Sequence, residues 1–141
     1  MLIKNFDDLL KSAHQQPDAQ RLLFVFAGSE LPDDCTPVQR SRFEAGLGGA
    51  LAPLMEVDKL PDQLKNFDQL VDESLKFAQG TPAEHWSIVF VGALGGEGRT
   101  PPGSQETDMA LRRMTDSIRA GEIKPYITFD RMGHMVKLQA S

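Results

Sequence analysis

The run of residues 86–93 (WSIVFVGA) constrains the fold more than any other stretch of this chain. It is almost continuously apolar, is rich in β-branched and aromatic residues, and leads into a glycine cluster at residues 95–98. A strand with one wet face alternates apolar and polar residues, whereas an unbroken apolar run indicates that both faces are covered. We therefore expect a central strand of an α/β sheet whose C-terminal end opens into a glycine-rich loop, where such proteins usually place ligands.

A second unbroken apolar run, residues 22–27, predicts another central strand. Helical patterns and short strands alternate along the chain in the order α-β-α-β-α-β-α-β-β, which favours a parallel sheet with right-handed crossovers. The sequence thus predicts a single α/β domain over residues 1–141 with three layers. The middle layer is a mostly parallel five-stranded sheet in the order 2-1-3-4-5, with helices on both faces and a C-terminal antiparallel hairpin.

Local signals place the helices. Asn5 is a good N-cap for a first helix over residues 6–15. Thr36 followed by Pro37 starts a second helix, because Pro suits the first helical position. The longest helix is expected over residues 61–79, where apolar residues keep helical spacing.

Two features mark the outer strands. Pro53 interrupts the predicted second strand, residues 50–57. Because proline cannot donate to a hydrogen-bond ladder, this strand belongs at a sheet edge or carries a bulge. The terminal hairpin is expected to join residues 126–129 to residues 135–138 through a turn that places Gly133 at a positive φ.

Composition restricts the partners and the compartment. The net charge of -5 disfavours nucleic-acid binding, which needs clustered Lys and Arg. No segment approaches the ~20 apolar residues that span a bilayer, and the N-terminus does not have the pattern of a signal peptide. The lone cysteine, Cys35, excludes a disulfide framework and suggests a reducing compartment. We expect a cytoplasmic bacterial protein without nucleic-acid or membrane partners, and its oligomeric state stays open.

The glycine loop after the central strand is the first candidate site. Backbone amides of Gly95, Gly96 and Gly98 could point at an anion, with Arg99 adding positive potential. The loop does not have the spacing of a Walker A or a dinucleotide-binding motif. A plain surface loop is the competing interpretation.

Acidic residues after residues 22–27 form the second candidate. Glu30 and Asp33 follow that strand, and the carboxyl ends of parallel strands meet at one edge of a sheet. We therefore expect these acids to lie near the Gly95–Arg99 loop, as ligand contacts, as an acid-base group or as ligands of a cation.

The sequence has few other candidates for catalytic or metal-binding residues. The three histidines are scattered, and Cys35 has no partner at metal or triad spacing, so we predict no catalytic residues, no metal site and no cofactor. The residues favour a non-catalytic binding or regulatory module that meets a protein or a small acidic ligand, and enzyme activity stays open. One alternative is a small enzyme or phosphate-ligand binder at the Gly95–Arg99 loop. Another is a redox-inactive thioredoxin-like protein.

Several stretches of the chain resemble a small uncharacterised proteobacterial family. They include residues 21–28 (RLLFVFAG), 30–34 (ELPDD), 42–46 (RFEAG) and 86–94 (WSIVFVGAL). Members of that family are often labelled "ribonucleotide reductase subunit alpha". The resemblance covers most of the chain and implies no catalytic residues. A reductase of that kind needs a radical-forming cysteine and a reducing cysteine pair, so we interpret the label as a misassignment for a chain with one cysteine.

Overall fold

A single four-stranded sheet organises the part of the chain that the structure describes. The computed structural model describes residues 3–30, 37–38 and 50–137. Its strands are β1 (Gln20–Glu30), β2 (Ala50–Lys59), β3 (Ile88–Gly95) and β4 (Ile127–Asp130), in the spatial order β2-β1-β3-β4. Its helices are α1 (Phe6–His14), α2 (Phe67–Ala78) and α3 (Ser104–Arg119), and short 3-10 helices cover Pro61–Gln63 and Pro82–His85.

The predicted mostly parallel, five-stranded sheet is wrong. All three neighbouring pairs are antiparallel, including β1 with β3, in which Phe24 lies opposite Val91. β2 and β3 both run opposite to β1, so the connection through α2 crosses over β1 instead of joining neighbouring strands. In place of the fifth strand, Met135 forms an isolated bridge with Phe129. Leu138, where that strand was expected to end, lies outside the described residues.

Both faces of β1 are buried, but different helices cover them. Leu22, Phe24 and Phe26 pack with residues of α1 and α2, whereas the alternate residues Leu23, Val25 and Ala27 pack with α3. An antiparallel sheet covered in this way shows the same unbroken apolar run as a parallel sheet. The run therefore reports burial on two faces and carries no information on strand direction.

Aromatic side chains dominate the face that α1 and α2 cover. The ring of Phe6 meets Phe67 and Phe129 edge-on, with centroids 5.3 Å and 5.6 Å away. Phe26 and Trp86 make a further edge-on pair at 4.9 Å. Such pairs add roughly 0.5–1.5 kcal/mol each beyond the burial of apolar area, so this layer anchors α1, α2 and β4 to the sheet.

Capping side chains explain where the helices begin. Asn5 caps α1 as predicted. The single long helix expected over residues 61–79 is wrong, because α2 begins only at Phe67. The Asn66 side chain accepts a hydrogen bond from the Gln69 amide at 2.9 Å and so starts a new helix after the short 3-10 turn.

The prediction for Pro53 is confirmed in both respects. β2 is an edge strand of the described sheet. Phe26 pairs with Met55 while Ala27 pairs with Pro53, so Leu54 is the extra residue of a bulge.

The segment between β1 and β2 is described only at residues 37 and 38, which are both helical. Asp33, Cys35 and the expected cap Thr36 lie outside the described residues. Across the described ranges, no helix has the length and apolar character needed to cross a bilayer.

Candidate functional site

Within the loop that follows β3, the amides of residues 96, 97, 98 and 100 are engaged by the protein itself. Gly96 N–H donates to the carbonyl of Ala19 at 2.8 Å, and Gly98 N–H donates to Asp18 Oδ1 at 2.9 Å. Glu97 and Thr100 exchange two further backbone hydrogen bonds, each 2.9 Å long. The Asp18 carboxylate thus lies where the sequence predicted an anionic ligand. Each of these N–H groups already donates to a protein acceptor, so none is left for a ligand.

Glycine is required in this loop for geometric reasons. A Cβ on Gly96 would overlap the Thr100 carbonyl oxygen and lie 2.8 Å from the carbonyl carbon of Pro101. Gly98 has φ 57° at the first central position of a two-residue turn closed by the Glu97–Thr100 bridge, a position at which type II′ turns use glycine. The glycine cluster is therefore explained by a tight hairpin turn.

Glu30, the described one of the two predicted acidic residues, does not join this loop. Gly95 pairs with Gln20 at the start of β1, whereas Glu30 ends β1 and pairs through its backbone with Ala50. β1 has 11 residues, so about 33 Å of strand separates these two ends. Asp33 lies outside the described residues. Antiparallel pairing of β1 and β3 is the reason, because it sends their C-terminal ends in opposite directions.

Arg99 borders a small polar cleft of about 240 Å³. The cleft also contains Asp18, His14 and Asp62, and His14 Nδ1 lies 3.5 Å from Asp62 Oδ1. The Arg99 side chain is exposed. With two carboxylates among its charged groups, the cleft is a poor receptor for a phosphate.

A larger pocket of about 610 Å³ opens between α2 and β2, and we call it the α2 pocket. Phe26 and Leu70, which are 0% and 1% exposed, contribute its apolar floor. One wall is residues 56–59 of β2, and the other carries Glu73, Ser74, Lys76 and Phe77 of α2. Phe77 is 76% exposed, an unusual degree for a phenylalanine, and this places an apolar ring at the rim.

An ion pair lies on the wall of the α2 pocket. Lys59 Nζ lies 2.9 Å from Glu73 Oε2, and Gln69 Nε2 donates to Glu73 Oε1 at 3.2 Å. The hydrogen bond from Lys59 lowers the pKa of Glu73 below its usual value of 4.5, against an opposing effect of desolvation, and Gln69 and Lys76 lower it further. The Glu73 carboxylate is therefore held ionised.

Strand alternation decides which charges face the α2 pocket. Val57 and Lys59 lie opposite Phe24 and Leu22, whose side chains belong to the α1 and α2 layer. Glu56 and Asp58 alternate with them and point to the α3 side. There Glu56 Oε1 accepts a hydrogen bond from Thr115 at 2.5 Å.

Asp58 is likewise engaged away from α2. Its Oδ2 lies 2.8 Å from Arg21 Nη1, and Arg21 also donates to the Pro102 carbonyl. The charged side chains on the α2 side of the pocket are thus Lys59, Glu73 and Lys76.

A third cavity, of about 340 Å³, lies under α1. Leu9, Leu22, Val91 and Ile127 contribute apolar surface, and its polar side chains are the uncharged Ser12, Gln16 and Gln20. It offers no charged group that would orient a ligand, so the α2 pocket is the better candidate site.

The α2 pocket was not predicted from the sequence. A signal was present at Phe77, which lies one residue before the buried Ala78 and so about 100° around the helix from it. An aromatic residue off the apolar stripe of an amphipathic helix has no core to pack into. The Lys59–Glu73 pair had no local signal, because α2 and β2 meet only in the tertiary structure.

Metal ligands and nucleophiles are the groups among the described residues that bear on catalytic chemistry. No group of three or more His, Cys, Asp or Glu side chains is arranged there to hold a metal ion. In the α2 pocket, the hydroxyl of Ser74 donates to the Val71 carbonyl at 2.7 Å and accepts from Trp86 Nε1 at 3.0 Å. The Ser74 hydroxyl thus donates its proton to a backbone carbonyl and not to a base that could activate it.

No protein-family model, curated protein or solved structure matches this chain. The geometry and charge of the α2 pocket are therefore the features that bear on function. The resemblance to the proteobacterial family stays a prediction.

Proposed function

We propose that this chain is a non-catalytic binding module whose ligand site is the α2 pocket. The observation that carries the proposal is the combination, in one pocket of about 610 Å³, of a buried aromatic and aliphatic floor, an ion pair, and the amine of Lys76, which has no ion-pair partner among the described residues. Small-molecule sites typically have ~300–1,000 Å³ of mostly apolar surface with a few convergent polar groups. The α2 pocket has the size and the lining of such a site.

A binding role fits the pocket better than a catalytic role. Glu73 is held ionised by Lys59, so its lowered pKa makes it a weak base and a poor proton donor near neutral pH. Ser74 is committed to Val71 and Trp86. The pocket can therefore hold and orient a ligand, but it has no group ready to transfer a proton or to attack.

The alternative site, the Gly95–Arg99 loop, has weaker support as a phosphate binder or enzyme site. Its amides at residues 96, 97, 98 and 100 have protein acceptors. An incoming phosphate would have to displace the Asp18 carboxylate from Gly98. We also propose the cytoplasm as the location of the protein, because its composition and single cysteine suit a reducing compartment.

Ligand titration followed by amide chemical shifts tests the proposal. A set of small molecules with apolar bodies is added to the full-length protein, and we expect the perturbed amides to map to α2 and β2. Replacing the rim phenylalanine, Phe77→Ala, should weaken these ligands at least several-fold. Because Phe77 is 76% exposed, this variant should remain folded.

Met109→Ala is the matched control. Met109 is also an exposed apolar residue on a helix, but it lies on α3, on the other side of the sheet, and is 50% exposed. This variant should bind like the parent protein. Shifts that map instead to residues 95–100 would favour the alternative site, and the absence of shifts in both regions would remove the proposal.

A further inference from the structure

We infer, on the premise of the proposed function, that the α2 pocket takes a small monocarboxylate with an apolar, ring-bearing body, and that Lys76 receives its carboxylate.

The charge balance on the α2 side of the pocket is positive. Lys59 and Lys76 face it with a single carboxylate, Glu73. Glu56 and Asp58 of β2 also line the pocket, but they alternate toward the α3 side, where Arg21 neutralises Asp58 and Thr115 donates a hydrogen bond to Glu56. One positive charge is left over, which matches a monoanion better than a doubly charged phosphate ester.

Lys76 is the group that carries the unmatched charge. Lys59 lies 2.9 Å from Glu73 and is neutralised by it. Within the described part of the chain, no carboxylate oxygen lies within 4.0 Å of Lys76 Nζ. Asp72, one turn earlier on α2, could have made an i,i+4 pair but does not approach that closely. A ligand carboxylate can therefore meet Lys76 without breaking an existing pair.

A cationic ligand, unlike a carboxylate, would have to break an existing ion pair. Its ammonium group would have to compete with Lys59 for Glu73, whose oxygens already face Lys59 and Gln69. Removing Lys59 from Glu73 would leave a partly buried charge without a partner, which costs free energy. The pocket therefore discriminates against amines as well as favouring acids.

The apolar surfaces define the rest of the ligand. The floor contributes Phe26 and Leu70, and the exposed ring of Phe77 lies at the rim beside Lys76. A ring placed between floor and rim would bury apolar surface and allow edge-on or offset contacts with two phenylalanines. Lys76 and Phe77 both line the α2 pocket, so the charged group and the ring of one small molecule can reach both.

Three probes with nearly the same body test the inference: phenylacetate, phenylacetamide and phenethylamine, which are negative, neutral and positive. Each is titrated into the full-length protein at low salt, and amide shifts of α2 and β2 give its affinity. We expect phenylacetate to bind about tenfold more tightly than phenylacetamide, a typical effect of one charged hydrogen bond. Phenethylamine should bind most weakly.

Substitution at Lys76 separates charge recognition from apolar binding. Lys76→Gln should weaken phenylacetate about tenfold and leave phenylacetamide unchanged. Lys11→Gln, which removes one exposed positive charge from α1, should change neither.

The outcomes distinguish the two proposals. Equal affinity of acid and amide in the α2 pocket, or retention of acid binding in Lys76→Gln, would overturn the carboxylate inference and leave the binding site standing. Failure of all three probes would also overturn it, while the wider set of apolar ligands decides the proposed function. Shifts outside α2 and β2 for every ligand would remove both.

Discussion

The Gly95–Arg99 loop and the α2 pocket differ in how much of their polar chemistry the fold already uses. The loop has the composition of an anion site, but its amides donate to Ala19, Asp18 and Thr100. The α2 pocket has no recognisable motif, yet Lys76 has no ion-pair partner within the described residues and Phe77 is exposed at the rim. Residue type therefore indicates what a segment could bind, whereas hydrogen-bond partners decide whether it is free to bind.

The largest effect is expected at the loop. Gly96→Ala should lower the free energy of unfolding by about 3 kcal/mol, because the new Cβ would overlap the backbone of residues 100 and 101 and force the turn apart. Urea denaturation measures the loss. Gly95→Ala is the control, since its nearest neighbour is the far end of the Gln20 side chain at 3.2 Å and not backbone, and it should change stability by less than about 0.5 kcal/mol. Equal losses would show that the loop is not a tight structural turn.

The second largest effect is expected at Ser74, and it tests whether the Ser74 hydroxyl stabilises the fold. Ser74→Ala should cost about 2 kcal/mol, because it leaves the buried Nε1 of Trp86 without its acceptor. Thermal unfolding is the measurement. In the double variant with Trp86→Phe, the penalty attached to Ser74→Ala should shrink, because the orphaned donor is gone. A penalty that persists in full would mean that Ser74 does not serve Trp86.

Substitutions at Asp18 test how much its carboxylate stabilises the loop. Asp18→Ala should cost about 1 kcal/mol, since Gly98 N–H loses an acceptor but remains open to water. Asp18→Asn keeps an oxygen in place and should cost less. Chemical denaturation of the two variants measures both losses of stability. If both lose the same stability, the charge of Asp18 matters and the hydrogen bond does not.

The smallest effect concerns the pKa of Glu73. The hydrogen bond from Lys59 is the main cause of its lowering, and Lys76 contributes least, so Lys59→Gln should raise the pKa of Glu73 more than Lys76→Gln does. A carbon-detected NMR titration of the Glu73 carboxyl measures both. The reverse order would contradict the pairing seen here.

The same pair predicts a weak pH dependence of stability. A carboxyl with a lowered folded pKa stabilises the fold above its unfolded value near 4.5, and this contribution disappears as the pH falls through the folded pKa. The stability difference between the parent protein and Lys59→Gln should therefore narrow on acidification below pH 4.5. The Glu73 side chain is 39% exposed, so solvent screening keeps the effect small.

The expected proximity of Glu30 to the loop is wrong, and the α2 pocket was not predicted at all, for different reasons. The loop was correctly located after β3, but its use as a site assumed parallel strands that bring Glu30 and Asp33 to the same edge. Antiparallel pairing puts Glu30 at the far end of β1. The α2 pocket was missed because its walls are about 15 residues apart in sequence and neither wall carries a motif.

The sequence by itself determined features that depend on one residue or one turn. Asn5 starts α1, Pro53 brings a bulge and an edge position to β2, and residues 22–27 are buried on both faces. These follow from backbone hydrogen bonding and from the burial of apolar side chains, which act locally.

Only the tertiary structure decided the direction of the strands, the partners of the loop amides and the charges that face the α2 pocket. Direction depends on which distant segments pair, and an apolar run packs equally well either way. The placement of Lys59, Glu73 and Lys76 then follows from the crossing of α2 over the sheet. A pocket of this kind is a property of the assembled layers, because no single segment contains both its floor and its charges.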